Sequence, residues 1–391
     1  MALAIFSRSP AAYKALMKLE ILQLPCVRSL QRKMESALEV CGISETNMKA
    51  AADYYKHFKQ QKVAEGSAEP KGEGVLILDE VRVIGKIMWN SKNMQMYGGA
   101  MTADNFTSLH DIYGKMEDRK RVAPAQSVLQ FLWRDLTSSF DVIGPYFPTE
   151  TSLEHRFLIS CPTETMRLFE TWDFHTVCIV CDGSGANLTT VKLFTTGLRG
   201  PYQRAEVEPW FTNPYNTAYR VHFVICPSHQ LKNMVNALFA SRQNGTKSFE
   251  TIRGGRSIGF GWEAIYTMYQ REVKRRDTEH ARRVPGLQHS YITRDAWTKL
   301  NVRPAKIMQQ EHVLAELQSY AEPDESADTP VDSKHVMATH SYLTACNLIF
   351  ERGFLSHDKV TNADQHVLEN IIAGYDYFET WLQELEGLFD L

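Results

Sequence analysis

The sequence predicts an α/β protein in which a mixed β-sheet with flanking helices follows a helical segment and precedes an all-helical domain. Three observations predict it: apolar runs of strand length between residues 75 and 226, helical periodicity between several of these runs, and helical patterns throughout the chain after Ser241. We therefore divide the chain into a helical lead over 1–65, a sheet domain over 74–245 and a helical domain over 246–391.

The composition is that of a globular chain long enough for two or three domains. The chain has 391 residues, of which 43% are hydrophobic and 23% charged, and a formal net charge of −3. Such a chain cannot coat nucleic acid through bulk charge, so DNA binding would need local basic patches. No apolar stretch approaches the ~18–20 residues of a membrane span. Seven cysteines without a paired framework indicate a reducing compartment and not secretion.

The lead is predicted to be helical over 10–62, with interruptions at 24–25 and 41–44. Ser44 followed by Asn47 is a candidate N-cap for the last helical stretch. The basic N-terminus is compatible with a transit peptide, but an amphipathic helix opened by Ser9-Pro10 explains it as well, and we favour the helix.

The sheet domain alternates apolar runs with helical patterns, whereas the last part shows helical patterns alone. The predicted strands are Val75–Val83, Lys86–Trp89 with a short return towards Tyr97, Ser127–Trp133, Phe140–Phe147, Val177–Cys181 and Tyr219–Cys226. The predicted helices are 151–171, 186–194, 228–240, 260–276, 293–299, 304–320, 335–352 and 360–388. Two polar loops are predicted, over 199–217 and 321–334.

Two aspartates follow central strands of the predicted sheet. Asp182 ends the run Val177–Cys181, and Asp79 ends the run Val75–Leu78. Open α/β sheets place their chemistry at such strand ends. Because neighbouring strands lie ~4.8 Å apart, acids on adjacent strands can share Mg²⁺ ions of the kind that serve phosphodiester chemistry. Simple strand termination explains the same acids, and the residues alone leave both interpretations open.

Two other motifs at this strand are weaker. Gly183 and Gly185 open a helix as dinucleotide-binding turns do, but Leu188 stands where the third glycine belongs, and Asp182 would meet a pyrophosphate unfavourably. Cys178 and Cys181 form a C-x-x-C pair inside the apolar run with no second ligand pair, which favours buried strand cysteines over a zinc or redox site.

With their flanking residues, the two aspartates resemble motifs of the P-element-type transposases, including relatives that carry a THAP domain. The Cys181–Asn187 segment is similar to that family's second catalytic strand, which commonly has the pattern S-D-G-x-x-x-N. The other similar segments are Leu3–Tyr13, Leu24–Leu30, Leu78–Val83 with Trp89–Gly99, Val128–Ser138, Phe223–Asn233 and Trp297–Ala305.

This resemblance implies an RNase H-like core interrupted by a helical insertion domain that binds GTP in at least some members. It also implies DNA cleavage and strand transfer at transposon ends, a nuclear protein, and a site for Mg²⁺ or Mn²⁺ made by two aspartates and a glutamate. Asp79 and Asp182 match the two aspartates residue by residue.

The chain departs from the family pattern in several places. Cys226 stands where Asp is usual and Ser228 where Pro is usual, although His229 and Lys232 remain as candidate phosphate contacts. The family's glutamate follows the insertion, and we expect Leu391 to lie still inside it. The zinc ligands of a THAP domain do not occur before residue 75.

Glu369 superficially resembles the missing glutamate, but its apolar neighbours repeat at helical spacing. We therefore interpret Glu369 as a solvent-facing acid on an amphipathic helix and not as a catalytic ligand.

Two basic clusters are candidates for phosphate contact. For the cluster that contains Arg275 and Arg276, a solvated helix face interleaved with acids is an equally good explanation. The clusters are Arg119–Arg121 and the set Arg271, Lys274, Arg275, Arg276, Arg282 and Arg283.

These features predict a transposase-derived protein in which metal-dependent DNA cleavage is impaired because the third acidic ligand is missing. The alternative is a non-catalytic, domesticated DNA- or nucleotide-binding protein. Either protein could form a homo-oligomer or pair with a full-length relative. The expected location is the nucleus, otherwise the cytoplasm, without a membrane partner.

Overall fold

The computed structural model describes most of the chain in ten stretches. These are residues 9–18, 24–29, 42–90, 95–100, 123–150, 155–197, 208–279, 283–321, 332–358 and 360–389. Within them, no helix is long and apolar enough to span a membrane.

Two helices of the lead are described, α1 (Pro10–Lys18) and α2 (Glu45–Ala64). The predicted cap of α2 is confirmed, because the Ser44 hydroxyl accepts a hydrogen bond from the Asn47 amide. The helix ends at Ala64 and the first strand begins at Glu73, which agrees with a linker between them.

A six-stranded sheet with strand order β5-β4-β1-β6-β8-β7 forms the centre of the first part of the chain. Its strands are β1 (Glu73–Arg82), β4 (Ser127–Asp135), β5 (Asp141–Thr149), β6 (His175–Cys181), β7 (Trp210–Thr212) and β8 (Arg220–Ile225). A separate two-stranded hairpin is made by β2 (Met88–Asn90) and β3 (Gln95–Tyr97). The three-residue β7 lies inside the predicted loop over 199–217, where it is too short to leave a periodic signal.

β1 occupies a central position because it pairs on both edges. It runs antiparallel to β4 over its whole length and parallel to β6 over its first half. Leu76 and Leu78 are buried while Asp79 and the residues after it are exposed. One face of the first half of β1 therefore belongs to the core, and the second half opens to solvent.

Helices α3 (His155–Glu170) and α4 (Gly185–Thr196) flank β6 in the chain and contact each other. The core between helices and sheet is aromatic: the Trp133 and Phe174 ring centroids lie 4.9 Å apart, and the Tyr55 ring of α2 lies tilted at 5.2 Å from that of Phe174. The mixed α/β sheet with flanking helices that the sequence predicts is confirmed.

Contacts divide the chain into two compact units, Met1–Val224 and Ile225–Leu391. The predicted division into three domains is a different partition and stays a prediction. The two differ because α5 (Pro227–Phe239), which we expected to belong to the sheet domain, buries Leu231 and Val235 in the core of the second unit.

The second unit is largely helical. Its helices are α6 (Trp262–Glu279), α7 (His289–Thr293), α8 (Ala296–Leu300), α9 (Val302–Met308), α10 (Glu311–Ala321), α11 (Ser333–Ile349) and α12 (His366–Phe389). A π-helical turn over Phe350–Phe354 follows α11.

One prediction for this region is corrected: the segment after residue 246 is not all-helical. It begins with a β-hairpin of β9 (Phe249–Arg253) and β10 (Arg256–Phe260). The hairpin turns at Gly254 and Gly255, whose φ angles are +58° and +71°. Two glycines with positive φ form the tight turn that best matches the twist of paired strands, so the Gly-Gly pair was a usable strand signal.

Candidate metal centre

The two predicted aspartates follow the paired segments of β1 and β6. In this parallel pair Ile77 lies opposite Val180. Asp79 and Asp182 are each two residues further along. Since side chains two residues apart in a strand share a face, continuing this register places both carboxylates on one face of adjacent chain segments. The register is compatible with the juxtaposition that the sequence predicts, which stays a prediction.

Asp182 is held by the turn that it begins. Its Oδ1 accepts a hydrogen bond from the Ser184 backbone N–H at 3.0 Å and another from Asn187 Nδ2 at 2.6 Å. The Ser184 hydroxyl in turn caps α4 by accepting from the Asn187 amide. The turn thus points its donors at a carboxylate of the protein itself. This arrangement disfavours the dinucleotide interpretation, which needs those donors for a pyrophosphate.

Asp79 is an exposed residue within β1. Its Oδ1 accepts a hydrogen bond from the backbone N–H of Glu80 at 2.9 Å. Glu80, the next residue along the strand, projects to the opposite face. Of these two neighbouring acids, only Asp79 faces the same side as the register position of Asp182.

The residue across from Asp79 on β4 is Gln130 and not an acid. Gln130 Nε2 donates to the carbonyls of Phe131 and Gly144, at 2.8 and 3.0 Å, where the β4–β5 register shifts. Its role is to satisfy carbonyls at this irregularity of the sheet.

The donor set fits a hard divalent cation but is incomplete for a full ligand cage. Two carboxylates at one strand end offer the oxygen ligands that Mg²⁺ and Mn²⁺ prefer. Among the described residues, however, no group of three or more His, Cys, Asp or Glu side chains could hold a metal ion. Glu369 is exposed on α12, as predicted for a solvent-facing acid.

His229 and Lys232 lie three residues apart on α5, so they share one face of that helix. Both are half-buried, and His229 Nδ1 has no hydrogen-bond partner among the described residues. Pro227 begins the helix, and the Cys226 side chain makes no capping hydrogen bond. The N-terminus of α5 therefore receives no hydrogen bond from the side chain of its N-cap residue.

The predicted phosphate role of Arg275 requires a correction. Arg275 is 8% exposed and forms ion pairs with Glu272 at 3.2 Å and Glu316 at 2.8 Å. Arg276 donates to the Leu287 carbonyl and lies 3.6 Å from Glu272. The sequence did not indicate this burial because acidic and basic residues alternate along α6. In the structure Glu272 is buried and pairs with Arg275 in the interior. The other cluster, Arg119–Arg121, lies outside the described residues.

The C-x-x-C pair lies within a strand, as the sequence predicts. Both cysteines lie inside β6, where Cys181 is buried and Cys178 is half-buried. Burial raises the pKa of Cys178 to about 11, so this thiol stays protonated at neutral pH.

A cationic cavity, which the sequence did not predict, lies in the second unit. It has a volume of about 600 Å³ between the β9–β10 hairpin and the start of α11. Arg253, Arg256 and Lys334 line it together with Asp332, which caps α11 through the Lys334 amide at 3.1 Å. His335 also lines it, and its Nε2 has no partner among the described residues. The basic side chains come from sequence positions about 80 apart, which explains why no local pattern marked them.

Part of this architecture matches a known protein family. Residues 52–195 match the family model described as TNP-like, RNase H N-terminal domain. This range contains β1, β6 and both aspartates. No curated protein matches the chain at a significant level.

A solved structure extends the similarity beyond that range. The chain is similar to a structure described as the Drosophila P element transposase strand transfer complex, with a TM-score of 0.59 and 13% sequence identity. The match covers 97% of this chain and 71% of the other. At this identity the likeness shows the fold, so the sheet described above is an RNase H-like one.

Proposed function

We propose, from the premise that this chain is a relative of the P-element-type transposases, that Asp79 and Asp182 bind a divalent cation and act on DNA phosphodiesters. The observation that carries the proposal is the β1–β6 register, in which Ile77 lies opposite Val180 and each aspartate follows two residues later. The domain match over residues 52–195 supports it because the matched domain contains both acids.

Each aspartate contributes differently to such a site. Asp182 offers a carboxylate already oriented by Ser184 and Asn187. Asp79 offers one from an exposed strand position that DNA can approach. A bound Mg²⁺ or Mn²⁺ ion supplies Lewis-acid polarisation of the phosphate and a more acidic bound water. Both carboxylates would serve as its oxygen ligands.

Cleavage by this chain is proposed to be impaired. The family pattern uses a third carboxylate, and the described residues contain no third acid grouped with Asp79 and Asp182. Two carboxylates hold a cation less firmly than three, and the displacement reaction depends on its position.

A Mn²⁺ titration followed by calorimetry tests the metal site. We expect Asp79→Ala and Asp182→Ala each to weaken binding at least about tenfold, since each removes one of two ligands. Glu80→Ala is the matched control, because it removes a neighbouring acid that faces the other side. Equal Mn²⁺ affinity in all four proteins would refute the site.

A plasmid-nicking assay with Mg²⁺ or Mn²⁺ tests the impairment. We expect little or no nicking by the chain. Robust nicking that Asp182→Ala abolishes would contradict impairment and would mean that another residue completes the site.

A second function, non-catalytic nucleotide binding, is favoured by the cationic cavity of the second unit. Arg253, Arg256 and Lys334 give it an excess of positive charge over Asp332, which suits the phosphates of a nucleotide such as GTP. Its volume of about 600 Å³ falls in the range of small-ligand pockets. These three basic residues would hold the phosphates.

Titration with fluorescent GTP separates the two functions. Arg256→Glu should abolish binding if the cavity holds the phosphates, whereas Lys247→Glu, a charge reversal at an exposed residue outside the cavity lining, should not. GTP binding without DNA affinity would favour the nucleotide-binding protein. Unchanged GTP affinity in Arg256→Glu would exclude the cavity as its site.

The remaining expectations stay proposals. DNA is the proposed partner of the metal site and the nucleus the proposed location, both from kinship with transposases. Self-association or pairing with a longer relative is proposed on the same ground, and size-exclusion chromatography with light scattering would test it.

A further inference from the structure

The turn after β6 closes on Asp182 through the side chain of Asn187. Asn187 Nδ2 lies 2.6 Å from Asp182 Oδ1, shorter than most amide–carboxylate hydrogen bonds. The Ser184 backbone N–H lies 3.0 Å from the same oxygen. Because two donors hold one oxygen, the carboxylate has little freedom to rotate about its side-chain bonds.

Asn187 is itself fixed in the first turn of α4. Its backbone N–H donates to the Ser184 hydroxyl at 3.3 Å, and the following amide donates to the Ser184 carbonyl at 2.9 Å. At its other end α4 is closed by Gly197, whose φ of +68° suits a left-handed cap. The amide that reaches Asp182 is therefore mounted on a capped helix and not on a loose loop.

The chemistry of an amide suits this position. The nitrogen of a carboxamide donates a hydrogen bond without adding charge, so it orients the Asp182 carboxylate without repelling a cation. Outer partners of metal ligands act in this way, and removing one costs about 10–100-fold in metal affinity.

We propose that Asn187 is the positioning residue of the metal site: it orients Asp182 so that the carboxylate can bind a divalent cation. This inference rests on the proposed function and adds a residue that would touch neither the cation nor DNA. It also explains why the turn directs its donors inward, towards a side chain of the protein.

The test measures Mn²⁺ affinity by calorimetry and thermal stability by circular dichroism on the full chain. Asn187→Ala and the nearly isosteric Asn187→Leu should weaken Mn²⁺ binding about 10–100-fold with little change in melting temperature. Thr189→Ala is the matched control, because this hydroxyl donates to the Gly185 carbonyl in the same helical turn and not to Asp182.

The outcomes separate this inference from the function on which it rests. If the unaltered chain does not bind Mn²⁺, the metal site fails and the positioning role fails with it. If the chain binds Mn²⁺ and both Asn187 variants bind equally well, only the positioning role is overturned. Unfolding of both variants would also overturn it, since Asn187 would then be a structural residue. In an Asp182→Ala background, Asn187→Ala should cause no further loss.

Discussion

At the scale of single residues, the two candidate aspartates follow from local patterns in the sequence, whereas the burial of Arg275 does not. Asp79 and Asp182 were recognisable because each follows an apolar run, and their juxtaposition depends only on strand pairing. Arg275 looked like a surface residue because charges alternate along α6. Its burial depends on Glu316 of α10, 41 residues away, which no local pattern reveals.

Arg275→Met should lower the free energy of unfolding by about 3–5 kcal/mol, because it leaves the carboxylates of Glu272 and Glu316 buried without their shared cation. Urea denaturation measures the loss. Arg303→Ala, at an exposed arginine of α9, is the control and should change stability by less than about 0.5 kcal/mol. A loss of under about 1 kcal/mol in Arg275→Met would mean that the ion pairs form at the surface and not in the core.

At the scale of elements, the helices and long strands followed from periodicity, and the short strands did not. α2 illustrates the first case, since its cap at Ser44 was visible in the sequence. Its attachment to the sheet was not: the Tyr55 hydroxyl donates to Asp135 at the end of β4, 80 residues away. We missed the β9–β10 hairpin because its strands lack a clear periodic pattern. The pair Gly254-Gly255 at its turn was the local feature that indicated a hairpin.

The Tyr55–Asp135 hydrogen bond predicts acid sensitivity. Burial raises the pKa of Asp135, but hydrogen bonds from Tyr55 and Thr137 outweigh it, and the pKa of Asp135 lies below its usual value. In the unfolded chain the pKa of the Asp135 carboxyl is about 3.9. The unfolded chain therefore binds the proton more readily than the folded one. The stabilisation is complete above that value and is lost as the pH falls through the lower folded-state pKa.

Urea midpoints at neutral pH and at about pH 3 test this expectation. Asp135→Asn should be less stable than the unaltered chain at neutral pH, and the difference should shrink in acid. Asp53→Asn, at an exposed acid of α2, is the control. Its urea midpoint should change between the two pH values by the same amount as that of the unaltered chain. A constant gap between the unaltered chain and Asp135→Asn across this range would contradict the role of Asp135.

At the scale of the whole molecule, a net charge of −3 limits how the chain can bind DNA. Bulk attraction is absent, so the DNA binding that we propose would have to come from a few phosphate contacts. Each contact adds about −0.9 to the slope of log affinity against log salt. His229 and Lys232 on α5 are two candidates that the described structure leaves partly accessible.

Lys232→Ala should reduce the magnitude of this slope by about 1 and weaken binding similarly for unrelated DNA sequences. Fluorescence anisotropy with a short duplex at several salt concentrations measures it. Lys247→Ala removes an exposed lysine elsewhere in the second unit and should leave the slope unchanged. An unaltered slope in Lys232→Ala would remove α5 from the DNA-binding surface.

The sequence by itself determined the α/β class, the order of the main elements, the two aspartates and the resemblance to P-element-type transposases. These follow from local patterns, since period, capping and strand ends are written in neighbouring residues. Only the tertiary structure decided that β1 and β6 are adjacent with Ile77 opposite Val180, that Arg275 is buried, and that basic side chains from β9–β10 and α11 meet at one cavity. Each of these depends on contacts between residues far apart in the chain, and such contacts are set by packing and not by sequence spacing.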